Sequence, residues 1–267
     1  MRKRIITLLT DFRTRDHYVA SMKGVILGIN PRATLIDISH QINPQDIQEA
    51  AFLLASVITF FPEETIHLAV VDPGVGGPRK PILVVTSRCY FIGPDNGIFT
   101  LVLHREEVKQ VVTLTNQRYF LPRVSSTFHG RDVFAPVAAH LSLGTRPESF
   151  GGEIDAWESL RMAEPEQDGR GIRGEIVHID GFGNLISNID EKTFFDATRS
   201  HNFLIKMGRQ RIHSLRKGYW EGKEGEVMAL IGSGGFLEIS MRERSAQTSL
   251  RKKRGDRIEV RIVGKVS

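Results

Sequence analysis

The residues that could do chemistry gather at glycine turns and at the ends of apolar runs. Asp11 follows the apolar run 5–9, and Asp72 follows Leu68-Ala69-Val70-Val71. In open α/β sheets, ligands collect outside the carboxyl ends of strands. A carboxylate at the first position can accept two hydrogen bonds from a ribose diol, bind a metal, or cap a helix. Asp72 opens the run Asp72-Pro73-Gly74-Val75-Gly76-Gly77-Pro78, whose glycines let backbone approach a ligand closely. Arg79 lies seven residues on, within reach of Asp72 if the loop folds back; a structural ion pair is the plain alternative. Thr127-Phe128-His129-Gly130-Arg131-Asp132 is predicted to open a helix. The helix dipole disfavours imidazolium there, so His129 is expected to stay neutral and able to accept a proton or polarise a water. Further on, Asp180-Gly181-Phe182-Gly183-Asn184 reads as a sharp turn. Phe182 there could stack on a base, and Asn184 could pair with an adenine edge by donor and acceptor. Ser233-Gly234-Gly235 is a second glycine turn whose hydroxyl could hold a carboxylate. A plain hairpin turn is the simpler reading of each.

These residues need elements to position them. Residues 5–9, 35–38, 66–71 and 82–85 read as strands, the last two as runs buried in a parallel sheet. Val19, Met22, Ile26 and Ile29 keep helical spacing. Asn43-Pro44 reads as a cap and first helical residue for a helix carrying Ile47, Ala51, Leu54 and Ile58. A further helix is expected over about 131–141. Residues 161–172 have linker composition. Beyond them, short β-type runs recur at 174–180, 185–189, 203–207, 227–231, 236–241 and 257–263, with no convincing helix between them. The fold class expected is α/β: an N-terminal α/β layered domain with a central, mostly parallel sheet over 1–165, and a C-terminal antiparallel β-barrel over 172–267.

Composition narrows the classes. The chain has 267 residues, 40% of them hydrophobic and 25% charged, with formal net charge +5. Those fractions fit a globular protein, not a disordered or fibrous one. A single cysteine, Cys89, excludes a disulfide framework and a cysteine-based zinc cluster. No run of 18 apolar residues suggests a spanning helix, and Asp11 ends the first apolar run too early for a signal peptide. A cytoplasmic protein with no membrane partner is expected. Residues 1–168 carry 17 Lys and Arg against 19 Asp and Glu; residues 169–267 carry 19 against 12. The basic run 251–254 lacks interleaved aromatics and adjoins Gly255-Asp256, so no nucleic-acid partner is expected. None of GxxxxGK[ST], HExxH, CxxC and GxSxG occurs.

Six pieces in order, TDF at 10–12, DHYVASMKG at 16–24, VVDPGVGG at 70–77, GPDNG at 93–97, TFHGRD at 127–132 and IDGFGNLISNI at 179–189, carry a resemblance. The chain resembles the S-adenosylmethionine hydroxide adenosyltransferases, adenosine-forming hydrolases related to the bacterial fluorinase and chlorinase. The resemblance implies a homotrimer with sites between one subunit's N-domain and a neighbour's C-domain. It implies a small-molecule substrate and no cofactor or metal: S-adenosylmethionine and water would give adenosine and methionine. Asp72, Arg79 and His129 would hold and activate the water. Asp11 would bind the ribose, Phe128 would join the substrate-binding set, and Asn184 would read adenine beside Phe182. Asp180 would meet the methionine ammonium, and Ser233 with Glu238 the amino-acid end.

Either Asp72 or His129 could take the water's proton. Where the halogenases have lost the aspartate and histidine, this chain keeps both, which favours hydroxide over halide as nucleophile. It departs from the family's TDFG at Arg13, and from a small-residue stretch at 242–254. Three alternatives remain open: a halide-using adenosyltransferase, a non-catalytic sensor of S-adenosylmethionine or adenosine, and a metal-dependent hydrolase built on Asp11, Asp72, Asp95 and His129.

Overall fold

A computed structural model describes residues 4–199 and 201–265. The basic start at 1–3 and the last two residues lie outside the described residues. The chain divides into two compact units, Met1–Leu160 and Arg161–Ser267.

The first unit is an α/β layered structure. Its strands are β1 (Ile5–Thr10), β2 (Thr34–Ser39), β3 (Ile66–Val70), β4 (Pro81–Thr86), β5 (Tyr90–Pro94) and β6 (Val108–Thr113). They form one sheet in the order β2-β1-β3-β5-β4-β6. The helices are α1 (Tyr18–Ile29), α2 (Ile47–Val57), α3 (Thr100–Leu103) and α4 (Ala135–Ser142). Side-chain alternation along β3 sorts the two faces. Ile66, Leu68 and Val70 pack with Met22 and Ile26 of α1 and Ala138 of α4. Ala69, and Val71 just beyond the strand, pack with Leu54 of α2 and Val102 of α3. Buried on both faces, β3 is apolar at every position but one, His67.

Three pairings are parallel (β1 with β2, β1 with β3, β3 with β5), so the sheet is mixed and mostly parallel along its first four strands. The expectation of a parallel setting fails for β4, which runs antiparallel to β5 and β6. A two-faced burial pattern does not encode direction; the tight 87–89 turn between β4 and β5 does. The expected cap at Asn43-Pro44 also fails. Asp46 caps α2, accepting from the Glu49 backbone N–H at 2.9 Å, a contact worth about 1 kcal/mol. Asn43 instead donates to the Glu49 carboxylate from the preceding turn.

The second unit is an antiparallel sheet that nearly closes into a barrel. Its strands are β7 (Glu166–Asp168), β8 (Gly171–Ile179), β9 (Leu185–Asp190), β10 (His201–Met207), β11 (Gln210–Ile212), β12 (Val227–Ile231), β13 (Phe236–Met241) and β14 (Arg257–Lys265). The order is β11-β10-β14-β8-β9-β13-β12, with β7 added beside β8. A bridge between Leu215 and Ala229 links the segment after β11 to β12 and brings the two ends of the path together. Ile176, Leu185, Ile205, Leu237 and Val260 fill the interior. Two helices that the sequence did not suggest, α5 (Glu191–Thr198) and α6 (Ala246–Leu250), lie in this unit; Phe194 of α5 is fully buried in the barrel core. No described helix is long and apolar enough to cross a membrane.

Candidate active site

Asp72 is the second residue past β3, and the glycine-rich loop does fold Arg79 back onto it. Arg79 Nε donates to both carboxylate oxygens at 3.0 Å, and its Nη2 donates to Oδ2. Both side chains are buried, with 5% of Asp72 and 9% of Arg79 exposed. Burial strengthens the pair, and the bidentate fork fixes its geometry. The guanidinium also lies over the Phe134 ring, 5.4 Å from its centroid.

Two glycines make this loop possible. A Cβ at Gly74 would lie 3.2 Å from Arg79 Cγ, so glycine leaves room for the returning side chain. Gly76 has φ +75°, and a Cβ there would fall 2.1 Å from the Ser126 carbonyl oxygen. The loop therefore presses directly on the 125–127 segment, which leads into the TFHGRD run. Asp132, fully buried, fastens that run: its carboxylate accepts from the Ser125 N–H at 2.8 Å and from Arg131 Nε at 2.6 Å.

His129 thus comes to Arg79, with Nη2 and Nδ1 2.9 Å apart. Arginine can only donate, so Nδ1 accepts with its lone pair and the neutral ring carries its proton on Nε2. His129 precedes a single π-type turn, Gly130–Phe134, that runs into α4. Burial first, and then the Arg79 charge, hold its pKa below the ordinary imidazole value, against smaller opposing effects of Asp72 and Asp132. The neutral ring anticipated from the helix dipole is therefore supported by burial and Arg79. Arg79 Nη1 is buried and has no hydrogen-bond partner among the described residues. Leaving a buried donor unpaired costs about 1–3 kcal/mol, more when it is charged. An oxygen ligand held there would recover that cost.

Asp11 is half-buried at the end of β1; its Oδ2 accepts from the Gln45 N–H at 2.9 Å. Arg13, exposed, takes φ +58°, a conformation glycine adopts without strain, and its N–H bonds the His40 carbonyl at 2.7 Å. Phe128 is 7% exposed and packs edge-on against Phe12 and Tyr18, with Arg131 over its face. In this chain it is a core residue.

The second unit gathers another set around a cavity of about 610 Å³, whose lining includes Asp180, Phe182, Asn184, Tyr219, Ser233 and Arg242. Asp180 shapes the turn: Oδ1 accepts from the N–H groups of Phe182 and Asn184, and Oδ2 accepts from Asn184 Nδ2, all at 2.9 Å. Asn184 keeps its carbonyl and one amide hydrogen for a ligand. Phe182 is 82% exposed. Glu238 is buried and accepts from Tyr219 Oη at 2.8 Å and Ser240 Oγ at 2.5 Å. Burial, reinforced by Glu238, pushes the Tyr219 hydroxyl's pKa well up, so it stays a neutral donor. Sequence reasoning missed Tyr219. Its run, Gly218-Tyr219-Trp220-Glu221-Gly222, has turn composition and no pattern tied to chemistry. Arg242 Nη1 donates to the carbonyls of Gly222 at 2.9 Å and Trp220 at 3.4 Å, which occupies it structurally. Among the described residues, no three His, Cys, Asp or Glu converge as a metal ion would require.

Fold and site together define an α/β protein with a buried carboxylate–guanidinium–imidazole set and a second, antiparallel barrel domain that holds an amide-and-aromatic cavity. Comparison with known proteins places this class. Residues 6–151 match the SAM hydroxide adenosyltransferase N-terminal domain and residues 174–259 its C-terminal domain. The chain belongs to the SAM hydroxide adenosyltransferase family. It is 40% identical to the (R)-S-adenosyl-L-methionine hydrolase of Methanocaldococcus jannaschii, over 96% of this chain and 95% of that protein. A fluorinase of Actinoplanes is more distant, 27% identical over 69% of this chain and 71% of its own length. A crystal structure of an uncharacterized conserved protein from Thermotoga maritima superposes with TM-score 0.89 at 36% identity, covering 96% of this chain and 99% of that one.

Proposed function

We propose that this protein hydrolyses S-adenosyl-L-methionine to adenosine and L-methionine, with water attacking C5′ and no metal taking part. The observation that carries the reading is the buried, unpartnered Nη1 of Arg79, beside a carboxylate and a neutral imidazole. A sulfonium makes neutral methionine a good leaving group, so what the reaction lacks is a competent nucleophile. Water has a pKa near 15.7 and needs help to act as hydroxide. Arg79 Nη1 would hold the water oxygen and stabilise the charge developing on it.

His129 Nδ1 is committed to Arg79, and its Nε2 carries a proton. Asp72 retains lone pairs beyond those facing Arg79, which makes it the proton acceptor in this reading. As the C5′–O bond forms and the C5′–S bond breaks, the water's proton passes to Asp72 and then to solvent. Methionine leaves with the sulfur's electron pair restored. In-line placement in a dry pocket would supply much of the acceleration. Asp11 would hold the ribose hydroxyls. Asn184 and Phe182 would take the adenine. Asp180, Ser233, Glu238 and, added by the cavity, Tyr219 would surround the methionine end. Phe128, packed edge-on against Phe12 next to Asp11, would support the first unit's part of the site.

The set in the first unit and the set in the second would act on one substrate. A homotrimer that joins one subunit's first unit to a neighbour's second is the assembly we propose, acting in the cytoplasm on a free small molecule. The 82% exposure of Phe182 supports a loop that meets a ligand or neighbour. The relatives' names carry an (R) label beside the L that fixes the amino-acid carbon, so the label belongs to the sulfonium. We propose the same epimer as the preferred substrate here. The Asp72 carboxylate accepts a proton from water but repels a halide anion, which favours hydrolysis over halogenation. Incubation with each sulfonium epimer, with and without chloride, tests this: adenosine and methionine are expected, faster from the (R) form. 5′-Chloro-5′-deoxyadenosine as the main product would favour the halide reaction, and binding without turnover a sensor.

A further inference from the structure

The GPDNG run at 93–97 has no part in the mechanism above, yet it sits against the loop that carries Asp72 and Arg79. That loop is anchored at its two flanks, Val71 and Lys80, by two adjacent residues of the GPDNG turn. Asn96 Nδ2 donates to the Val71 carbonyl at 2.9 Å, and the Asp95 N–H donates to the Lys80 carbonyl at 2.8 Å. Within the loop the backbone hydrogen bonds among the described residues are short-range turns, Val75 to Asp72 and Gly77 to Gly74. The staple at 95–96 therefore closes the loop's mouth and fixes the separation from which Arg79 returns to Asp72.

The staple is itself rigid. Asn96 Oδ1 accepts from the Ile98 N–H at 3.2 Å, which orients the amide so that its NH₂ faces Val71. Asp95 is buried, and its carboxylate accepts from the Glu158 N–H at 2.8 Å. Gly93 brings the strand below into close contact: a Cβ there would lie 2.3 Å from the Ala69 carbonyl oxygen. The turn is thus held to β3 on one side and to residue 158 on the other, and Asn96 ties its side chain to the Asp72 end.

We propose that Asn96 is a positioning residue of this enzyme: it holds the Asp72 end of the loop in register with Arg79 and, through Arg79, with His129. The proposal rests on the hydrolytic reading for its kinetic test but not for its spectroscopic one. Asn96→Asp keeps the shape and replaces the donor with a carboxylate oxygen facing the Val71 carbonyl. Asn96→Ala removes the tie without adding charge and serves if the first variant folds poorly. A displacement near 1 Å at a reacting centre costs on the order of 10²-fold, so kcat should fall roughly 10- to 100-fold in Asn96→Asp. KM for S-adenosylmethionine should stay near the parent value, because the loop holds the water and not the substrate. In parallel, ¹⁵N NMR of the His129 ring should show Nδ1 as an acceptor in the parent and an altered Nδ1 signal in the variant.

Unchanged kcat in both folded variants, or KM rising as steeply as kcat falls, overturns the proposal. If the parent enzyme turns over no S-adenosylmethionine, the hydrolytic reading fails and the NMR arm decides alone. An unchanged His129 Nδ1 signal in Asn96→Asp then overturns the positioning role, and a shifted one supports it.

Discussion

Arg79 bonds Asp72 and His129 at once: Nε lies 3.0 Å from both Asp72 carboxylate oxygens, and Nη2 lies 2.9 Å from His129 Nδ1. One guanidinium thus orders a carboxylate and an imidazole and keeps a further buried donor, Nη1, for a ligand. The relationship fixes the protonation state of His129, because a proton on Nδ1 would compete with Arg79 for the same lone pair.

The pH dependence of turnover follows. Burial and Arg79 hold the His129 pKa below its ordinary value near 6.5, so the ring is neutral at and above that value. Activity should be level from about pH 7 downward until the lowered His129 value is reached, and fall below it as Nδ1 protonates. The pH profile of kcat/KM checks this. An acid limb with its midpoint above 6.5 would contradict the assignment.

Asp72→Ala should remove the proton acceptor and leave Arg79 without its partner. Turnover should drop by about 10²–10⁴-fold, the usual contribution of a positioned acid or base. Ligand binding, measured by calorimetry, should be largely retained, since the substrate contacts lie elsewhere.

Phe182→Ala tests the exposed aromatic. The residue is 82% exposed, so fold stability should change by no more than about 0.5 kcal/mol. Loss of stacking on a base should weaken substrate binding by about 1–3 kcal/mol, roughly 5- to 150-fold. Thermal unfolding and a substrate titration on the same variant separate the two effects.

His67 makes folding stability depend on acid. It is fully buried in β3, stacks on Phe91 and bonds Thr7 Oγ1 at 2.8 Å. Burial lowers its pKa to about 4. The unfolded chain takes up a proton near 6.5 while the folded one does not, so stability is full above that value. It declines as pH falls toward 4 and levels off below, a total of about 3 kcal/mol. Denaturant unfolding between pH 7.5 and 4.5 should show this slope, and His67→Phe should reduce it.

Much of the fold was legible because the strands are strongly patterned. The all-apolar approach to Asp72 announced a strand buried on both faces, and the short runs after residue 172 announced the barrel. The direction of β4 was not legible, since a strand buried on both faces has the same composition either way up. α5 escaped notice because its eight residues are mostly polar and only Phe194 and Thr198 are buried. In the site, the seven-residue spacing from Asp72 to Arg79 permitted an ion pair without deciding it. The approach of His129, fifty residues later, depends on Gly76 pressing against the Ser126 carbonyl, a tertiary contact that no local spacing encodes. Tyr219, in the turn before β12, is placed by Glu238 of β13, so its own neighbours in the chain carried no signal.

The central claim is that water, held by Arg79 and deprotonated by Asp72, attacks C5′. Incubation of the protein with S-adenosylmethionine in ¹⁸O-enriched water tests it most directly, with adenosine and methionine analysed by mass spectrometry. One ¹⁸O atom is expected in each adenosine formed, at the 5′ position, and none in methionine. Adenosine without the label, or no adenosine from either sulfonium epimer, would contradict it.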